Sequence, residues 1–254
     1  MYIFDSHAHY DDDSFDKDRE KLIEEIRSNN VIGVLNCGAS LEGAIKSVEL
    51  SEKYDFFYAA VGIHPEHADE INDSTISKIR ELAKSKKVRA IGEIGLDYYW
   101  EENPDREVQK QAFIKQMELA RELSLPVIIH DRDAHKDTLE IMKMFPEVIG
   151  VVHCFSGSVE FAKECLSLGY YIGFTGVVTF KNAKKILDVA KVVPDDKILV
   201  ETDCPYMAPA PFRGERNRSD YIKYIIEKLA EIRDISEEEI GNWLILNVRK
   251  LLKI

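Results

Sequence analysis

Near its start the chain reads FDSHAHYDDD, in which His7 and His9 stand one residue apart and Asp11, Asp12 and Asp13 follow. Side chains of an extended segment alternate between faces, so a strand over residues 2–9 puts both imidazoles on one side, ahead of an acidic turn. Two nitrogen donors on one face can share a cation. An ordinary strand end with two solvated histidines has the same spelling, and the pair alone does not separate the two. Other apolar runs also close on ionisable residues: His64 in VGIH, Glu93 in IGEIG, His130 in LPVIIH, His153 in VIGVVHC and Asp203 in ILVETD. Singly, each reads as well as a hydrogen-bonded strand end. Together, His7, His9, His130, His153, Glu93 and Asp203 supply four imidazoles and two carboxylates. Gathered at one mouth, they would be costly to bury unless paired or bound to metal. This mixture suits Zn²⁺, Mn²⁺ or Fe²⁺ better than the all-oxygen shell of Mg²⁺. A catalytic zinc takes three protein ligands as a rule, so six donors are read most economically as two ions sharing a carboxylate.

The elements that must gather these residues are short, β-branched runs separated by amphipathic segments. Eight such runs occur: YIFDSH, VIGVLNC, FFYAAVGIH, VRAIGEIG, LPVIIH, VIGVVHC, YYIGFTGVV and KILVETD. Most are continuously apolar, the pattern of strands buried on both faces of a parallel sheet. Between them, segments such as REKLIEEIRSN, EVQKQAFIKQMELARELS and SDYIKYIIEKLAEIRD carry apolar residues three or four apart, as helices do. Ser236 with Glu239 forms a capping-box pair that opens a last helix. Eight strands alternating with helices predict a (β/α)₈ TIM barrel, α/β in class. In such barrels the strand C-termini build the active site, which is where the ionisable residues fall. A doubly wound open sheet is the other arrangement, but no Gly-x-Gly-x-x-Gly follows the first strand. No linker or internal repeat divides the chain, so residues 1–254 are expected to form a single domain.

The net charge of −12 leaves no global basic field, which counts against a protein that grips long nucleic acid through many phosphate contacts. It leaves room for an enzyme that holds a few phosphates locally. Cys37, Cys154, Cys165 and Cys204 form no Cys-x-x-Cys pair or disulfide framework, as in a reducing compartment. No secretory pattern or membrane-length apolar run occurs, and a cytoplasmic location is expected.

The segments DSHAHYDD, VGIHPEH, IGEIGLDYYW, LPVIIHDRDAHKDTL, HCFSGS, ETDCPYMAP and FRGERN, in this order across nearly the whole chain, resemble the TatD-type deoxyribonucleases, a branch of the amidohydrolase-like metal-dependent hydrolases. The resemblance implies a TIM barrel with two divalent ions (Zn²⁺, Mn²⁺ or Mg²⁺), held by His7, His9, Glu93, His130, His153 and Asp203, with Glu93 as the bridge. It places His64 near the substrate as a phosphate contact. After RGERN the family often has a proline two positions on. Here RSDY follows, which leaves Ser219 to cap the next helix.

Arg213, Arg216 and Arg218 form the dense basic cluster near strand eight and are expected to bind phosphate. Arg132 follows His130 by two and is equally consistent with an ion pair. Tyr98, Tyr99 and Trp100 read first as loop packing, with base stacking as the sharper use. Period two turns Cys154 and Cys204 away from the metals, and His67 and His135 read as surface histidines. The expected activity is phosphodiester hydrolysis of DNA at single strands or ends by a monomer, with Asp203 and Glu93 at the chemistry. The alternatives are an ester or amide hydrolase on the same centre, such as a D-aminoacyl-tRNA deacylase, and a non-catalytic metal-stabilised scaffold.

Overall fold

The computed structural model describes residues 1–254. Its strands are β1 (Ile3–Ala8), β2 (Val31–Cys37), β3 (Phe57–Val61), β4 (Val88–Asp97), β5 (Val127–Arg132), β6 (Gly150–Val152), β7 (Tyr171–Phe174) and β8 (Ile198–Val200). All are parallel and neighbour one another in sequence order. Between them run α1 (Arg19–Ser28), α2 (Leu41–Lys53), α3 (Asp73–Leu82), α4 (Arg106–Leu123), α5 (His135–Met144), α6 (Val159–Ser167) and α7 (Lys184–Val192). The chain ends in α8 (Ile222–Arg233) and α9 (Glu237–Leu252). The architecture is a single-domain (β/α)₈ TIM barrel, as the strand and helix pattern predicts. Ser236 caps α9, its hydroxyl accepting from the Glu239 N–H at 3.1 Å.

Every strand places a residue in one interior layer: Phe4, Leu35, Ala60, Ala90, Ile128, Val151, Tyr171 and Leu199 pack together, closed below by Val248, Leu251 and Leu252 of α9. Alternation then carries the chain from that apolar layer to the polar mouth. Two residues beyond Ile128, Val151 and Leu199 come His130, His153 and Glu201. The last three strands are shorter than their apolar runs suggest, so His153, Glu201 and Asp203 lie past the regular ladder.

The seam between β8 and β1 is closed largely by side chains. Asp5 Oδ2 accepts from the hydroxyls of Thr202 and Ser219, each at 2.6 Å, and its Oδ1 accepts from the Thr202 N–H at 2.9 Å. Ser6 donates to the Val200 carbonyl at 2.9 Å, and higher up the Asp203 N–H reaches the His7 carbonyl. Ser219 therefore does not cap a helix. It is buried, and both Asp5 and the Tyr10 hydroxyl hold its side chain. Burial lifts the Asp5 carboxyl to about 6 against these hydrogen bonds. Asp5→Ala would remove the acceptor shared by four buried donors, the Thr202 and Ser219 hydroxyls and the Thr202 and His7 N–H groups, at about 1–3 kcal/mol for each left unpaired. A thermal melt should show the midpoint falling by roughly 10 °C in a chain of this size. An unchanged midpoint would remove the seam from the stability of the barrel.

Candidate metal centre

His7, His9, Glu93, His130, His153 and Asp203 meet at the C-terminal mouth, and all but the buried His7 line a cleft of about 720 Å³. The Nε2 atoms of His7 and His9 stand 2.9 Å apart. Glu93 lies between two pairs of imidazoles. Its Oε2 is 3.3 Å from His7 Nε2 and 3.5 Å from His9 Nε2. Its Oε1 is 2.9 Å from His130 Nδ1 and 2.6 Å from His153 Nε2. Asp203 Oδ1 adds a contact on the first side, 3.3 Å from His9 Nε2. His64 joins the second side, its Nε2 3.7 Å from Glu93 Oε1 and its ring 4.4 Å from that of His130.

Neighbouring groups decide which nitrogen of His9 and of His130 faces inward. The Cys37 carbonyl can only accept, so His9 Nδ1 donates to it at 2.7 Å and leaves the Nε2 lone pair for the cluster. His130 is turned the other way: Asp97 takes its Nε2 N–H at 3.2 Å, so Nδ1 faces Glu93. Such carboxylate or carbonyl partners fix the tautomer of metal-binding histidines. Gly95 lets Glu93 and Asp97 flank this arrangement. Its φ is +144°, and a Cβ there would fall 2.0 Å from the His130 carbonyl oxygen.

The charges of the cluster are mutually dependent. Burial works against an imidazolium at His9, yet the hydrogen bond to Asp203 and the charges of Glu93 and Asp203 lift it to about 10. Burial likewise opposes, and Asp97 and Glu93 overcome it, at His130, which also reaches about 10. Burial and the neighbouring His153 push His7 down to about 4, and burial with His130 takes His64 to about 3. Burial raises Glu93 and Asp203, but the surrounding imidazoles hold both below the usual carboxylate range. The carboxylates thus favour positive charge beside His9 and His130. Inward lone pairs, ionised carboxylates and this demand for positive charge fit a divalent ion. His7, His9 and Glu93 could hold one, as could His64, Glu93 and His130, or His7, His153 and Asp203.

A family model described as "TatD related DNase" matches residues 4–253. The chain belongs to the TatD family. It is 42% identical over 254 residues to the "Uncharacterized metal-dependent hydrolase YabD" of Bacillus subtilis, with 99% of each chain covered. It is 33% identical to the "3'-5' ssDNA/RNA exonuclease TatD" of Erwinia tasmaniensis, covering 99% of this chain and 100% of that one. The crystal structure of YjjV, a TatD homologue from Escherichia coli K12, superposes with a TM-score of 0.93 at 32% identity, over 99% of this chain and 98% of the other. This TatD protein is a metal-dependent hydrolase by family, and no helix in it is long and apolar enough to cross a membrane.

Several residues sit elsewhere than their spacing suggests. Arg216 is outside the cleft: its guanidinium donates to both oxygens of Asp18, at 2.8 and 2.6 Å, and to the Ser14 carbonyl. Arg218 is held by Asp220 and Glu25. Arg213 lies over the Phe180 ring at 4.4 Å and lines no part of the cleft. The cations that do line it are Arg132 and Lys185. Cys204 packs in the core as alternation requires, but Cys154 lines the cleft, because the strand has ended and its φ is +43°. His67 is a surface residue beside Glu66 and Glu70, whereas His135 is half-buried, bonded to Asp131 at 2.6 Å and stacked on Phe161.

Two buried carboxylates escaped the sequence reading. Asp97 orients His130. Glu201 accepts from the Cys154 N–H and lies 3.7 Å from His153 Nδ1, with burial raising it to about 7. Gly173 makes room for it, since a Cβ there would approach Glu201 Oε1 to 2.7 Å. The signal was period two: Asp97 shares a face with Glu93, and Glu201 with Asp203.

Proposed function

We propose that this protein hydrolyses phosphodiester bonds of DNA, at single-stranded ends, with two divalent ions at its mouth. His7, His9 and Asp203 would hold one ion and His130 and His153 the other, with Glu93 available to both, while His64 contacts a substrate phosphate. The observation that carries the reading is Glu93, whose two oxygens face separate imidazole pairs, the geometry a bridging carboxylate needs. The exonuclease activity named for the Erwinia relative supports a nucleic-acid substrate.

When bound, divalent ions polarise phosphoryl oxygens and make water acidic near neutral pH. The chain's own residues do the rest. Asp203 lines the cleft and is 14% exposed at its side chain, so it can accept a proton from an attacking water. Glu93, 4% exposed, is closed off from solvent and serves as the fixed anion of the centre. Asp97 and the Cys37 carbonyl keep His130 and His9 in the tautomers that point inward.

Stripping the protein with a chelator should abolish cleavage of a single-stranded oligonucleotide, and Mn²⁺, Zn²⁺ or Mg²⁺ should restore it in some order. Cleavage by protein verified as metal-free would sink this mechanism. Turnover of D-aminoacyl-tRNA with none of the oligonucleotide would replace the substrate class, and a fully loaded protein inert on both would leave a metal-stabilised scaffold.

A further inference from the structure

The rim above the centre is charged unequally. In a ring of eight strands taken in sequence order, the loops after β1 and β3 stand across from those after β5 and β7. Asp11 and Asp12 follow β1 and Glu66 follows β3, whereas Arg132 ends β5 and Lys185 lies in the first turn of α7, after β7. All five line the cleft, as do Asp97 and Asp131 on the cationic side, each bonded to a histidine, His130 and His135. Neither Arg132 nor Lys185 is ion-paired, although the protein carries a net charge of −12 and Arg216 and Arg218 nearby are both held by carboxylates. Arg132 instead lies 4.0 Å over the Tyr99 ring and 5.4 Å from that of Trp100. Trp100 lines the same side and is 49% exposed, which leaves much of its indole free to stack. Cations without partners beside an open aromatic face are the materials of a single-strand track.

We propose that the substrate strand leaves the metal centre on one side only, over Trp100, Arg132 and Lys185. Arg132 and Lys185 hold phosphates next to the cleaved one, and Trp100 stacks on a base. Asp11, Asp12 and Glu66 repel phosphate and bar the strand from continuing across the opposite rim. An internal phosphodiester needs chain on both sides of the centre, whereas a terminal one needs it on one. The polarity of the rim thus restricts cleavage to ends. This assignment rests on the phosphodiesterase reading above and adds to it the side, the residues and the reason for end selectivity.

The test compares two substrates on metal-loaded wild type, Lys185→Ala, Lys185→Glu and Trp100→Ala. One is a single-stranded heptanucleotide. The other is thymidine 5′-p-nitrophenyl phosphate, a phosphodiester with no neighbouring phosphate. The ratio of kcat/KM for oligonucleotide over small diester should fall about tenfold in Lys185→Ala and in Trp100→Ala, mainly through KM, and further in Lys185→Glu. Binding of a hydrolysis-resistant phosphorothioate strand should lose about 0.7 from its log affinity against log salt slope in Lys185→Ala, the value for one phosphate contact. A circular single strand should be refractory to the wild type. An unchanged ratio and slope in Lys185→Glu would overturn the track, as would circular DNA cut as fast as linear. If the wild type turns over the small diester while the ratio stays flat, only the track fails. If it turns over neither substrate, the phosphodiesterase reading falls and the track with it.

Discussion

Asp203→Asn is expected to lower kcat on a single-stranded oligonucleotide by about 10²–10⁴-fold, the range that general-base catalysis contributes, while KM stays within about threefold. The asymmetry follows from what the substitution removes. Asparagine keeps the shape and can still offer an oxygen toward His9, but it cannot accept a proton, and proton acceptance matters only on the way to the transition state. The backbone tolerates the change. Asp203 has φ of +57°, a left-handed conformation that asparagine visits as readily as aspartate, and its N–H bond to the His7 carbonyl is untouched. The wild-type carboxylate is held below its usual range by the hydrogen bond from His9 and the charges of His7 and His153, which outweigh its burial. It is therefore an ionised acceptor throughout neutral pH. Steady-state kinetics with a thermal melt as the folding control reads the effect. An unaltered kcat at saturating substrate would take Asp203 out of the chemistry.

Glu93→Gln is expected to bind at least one metal equivalent fewer than the wild type, measured by elemental analysis of protein loaded and then desalted, and to lose nearly all turnover. Each carboxylate oxygen of Glu93 faces a different imidazole pair. A glutamine can turn its carbonyl oxygen to only one of them, and its amide N–H₂ then points at nitrogens whose lone pairs should face a cation. The buried charge that balances the cluster is lost as well. Metal content equal to that of the wild type would refute the bridging role, whatever happened to activity. Asp203→Asn serves as the contrast, since asparagine keeps an oxygen for the ion and the larger effect is expected in turnover.

Much of this protein is legible as a string of letters. Eight β-branched runs alternating with 3.6-period segments specify the barrel, because each strand must be buried on both faces and each helix on one. Strand alternation is a local property of the backbone, so His7 with His9 on one face follows from spacing alone. The barrel's convergence of strand ends then makes neighbours of residues far apart in the chain, and the TatD motifs run in order along it. Asp97 and Glu201 follow from the same period, Asp97 on the face of Glu93 and Glu201 two residues before Asp203.

Other features depend on partners that no spacing encodes. Arg216 sits in the basic cluster that looked made for phosphate, but Asp18, nearly 200 positions earlier, meets it across the loop after β1 and occupies its donors. Ser219 was free to cap a helix until the β8–β1 seam brought Asp5 to it. Cys154 escapes alternation because its left-handed backbone ends the strand rule one residue after His153. Lys185 lies in the first turn of α7, and only the closing of the ring sets it and Arg132 across from Asp11, Asp12 and Glu66. Local sequence determines periodicity, and periodicity determines which elements form and which face they bury. Which charge finds which partner at the mouth is set by distances through space, and those exist only once the barrel has closed.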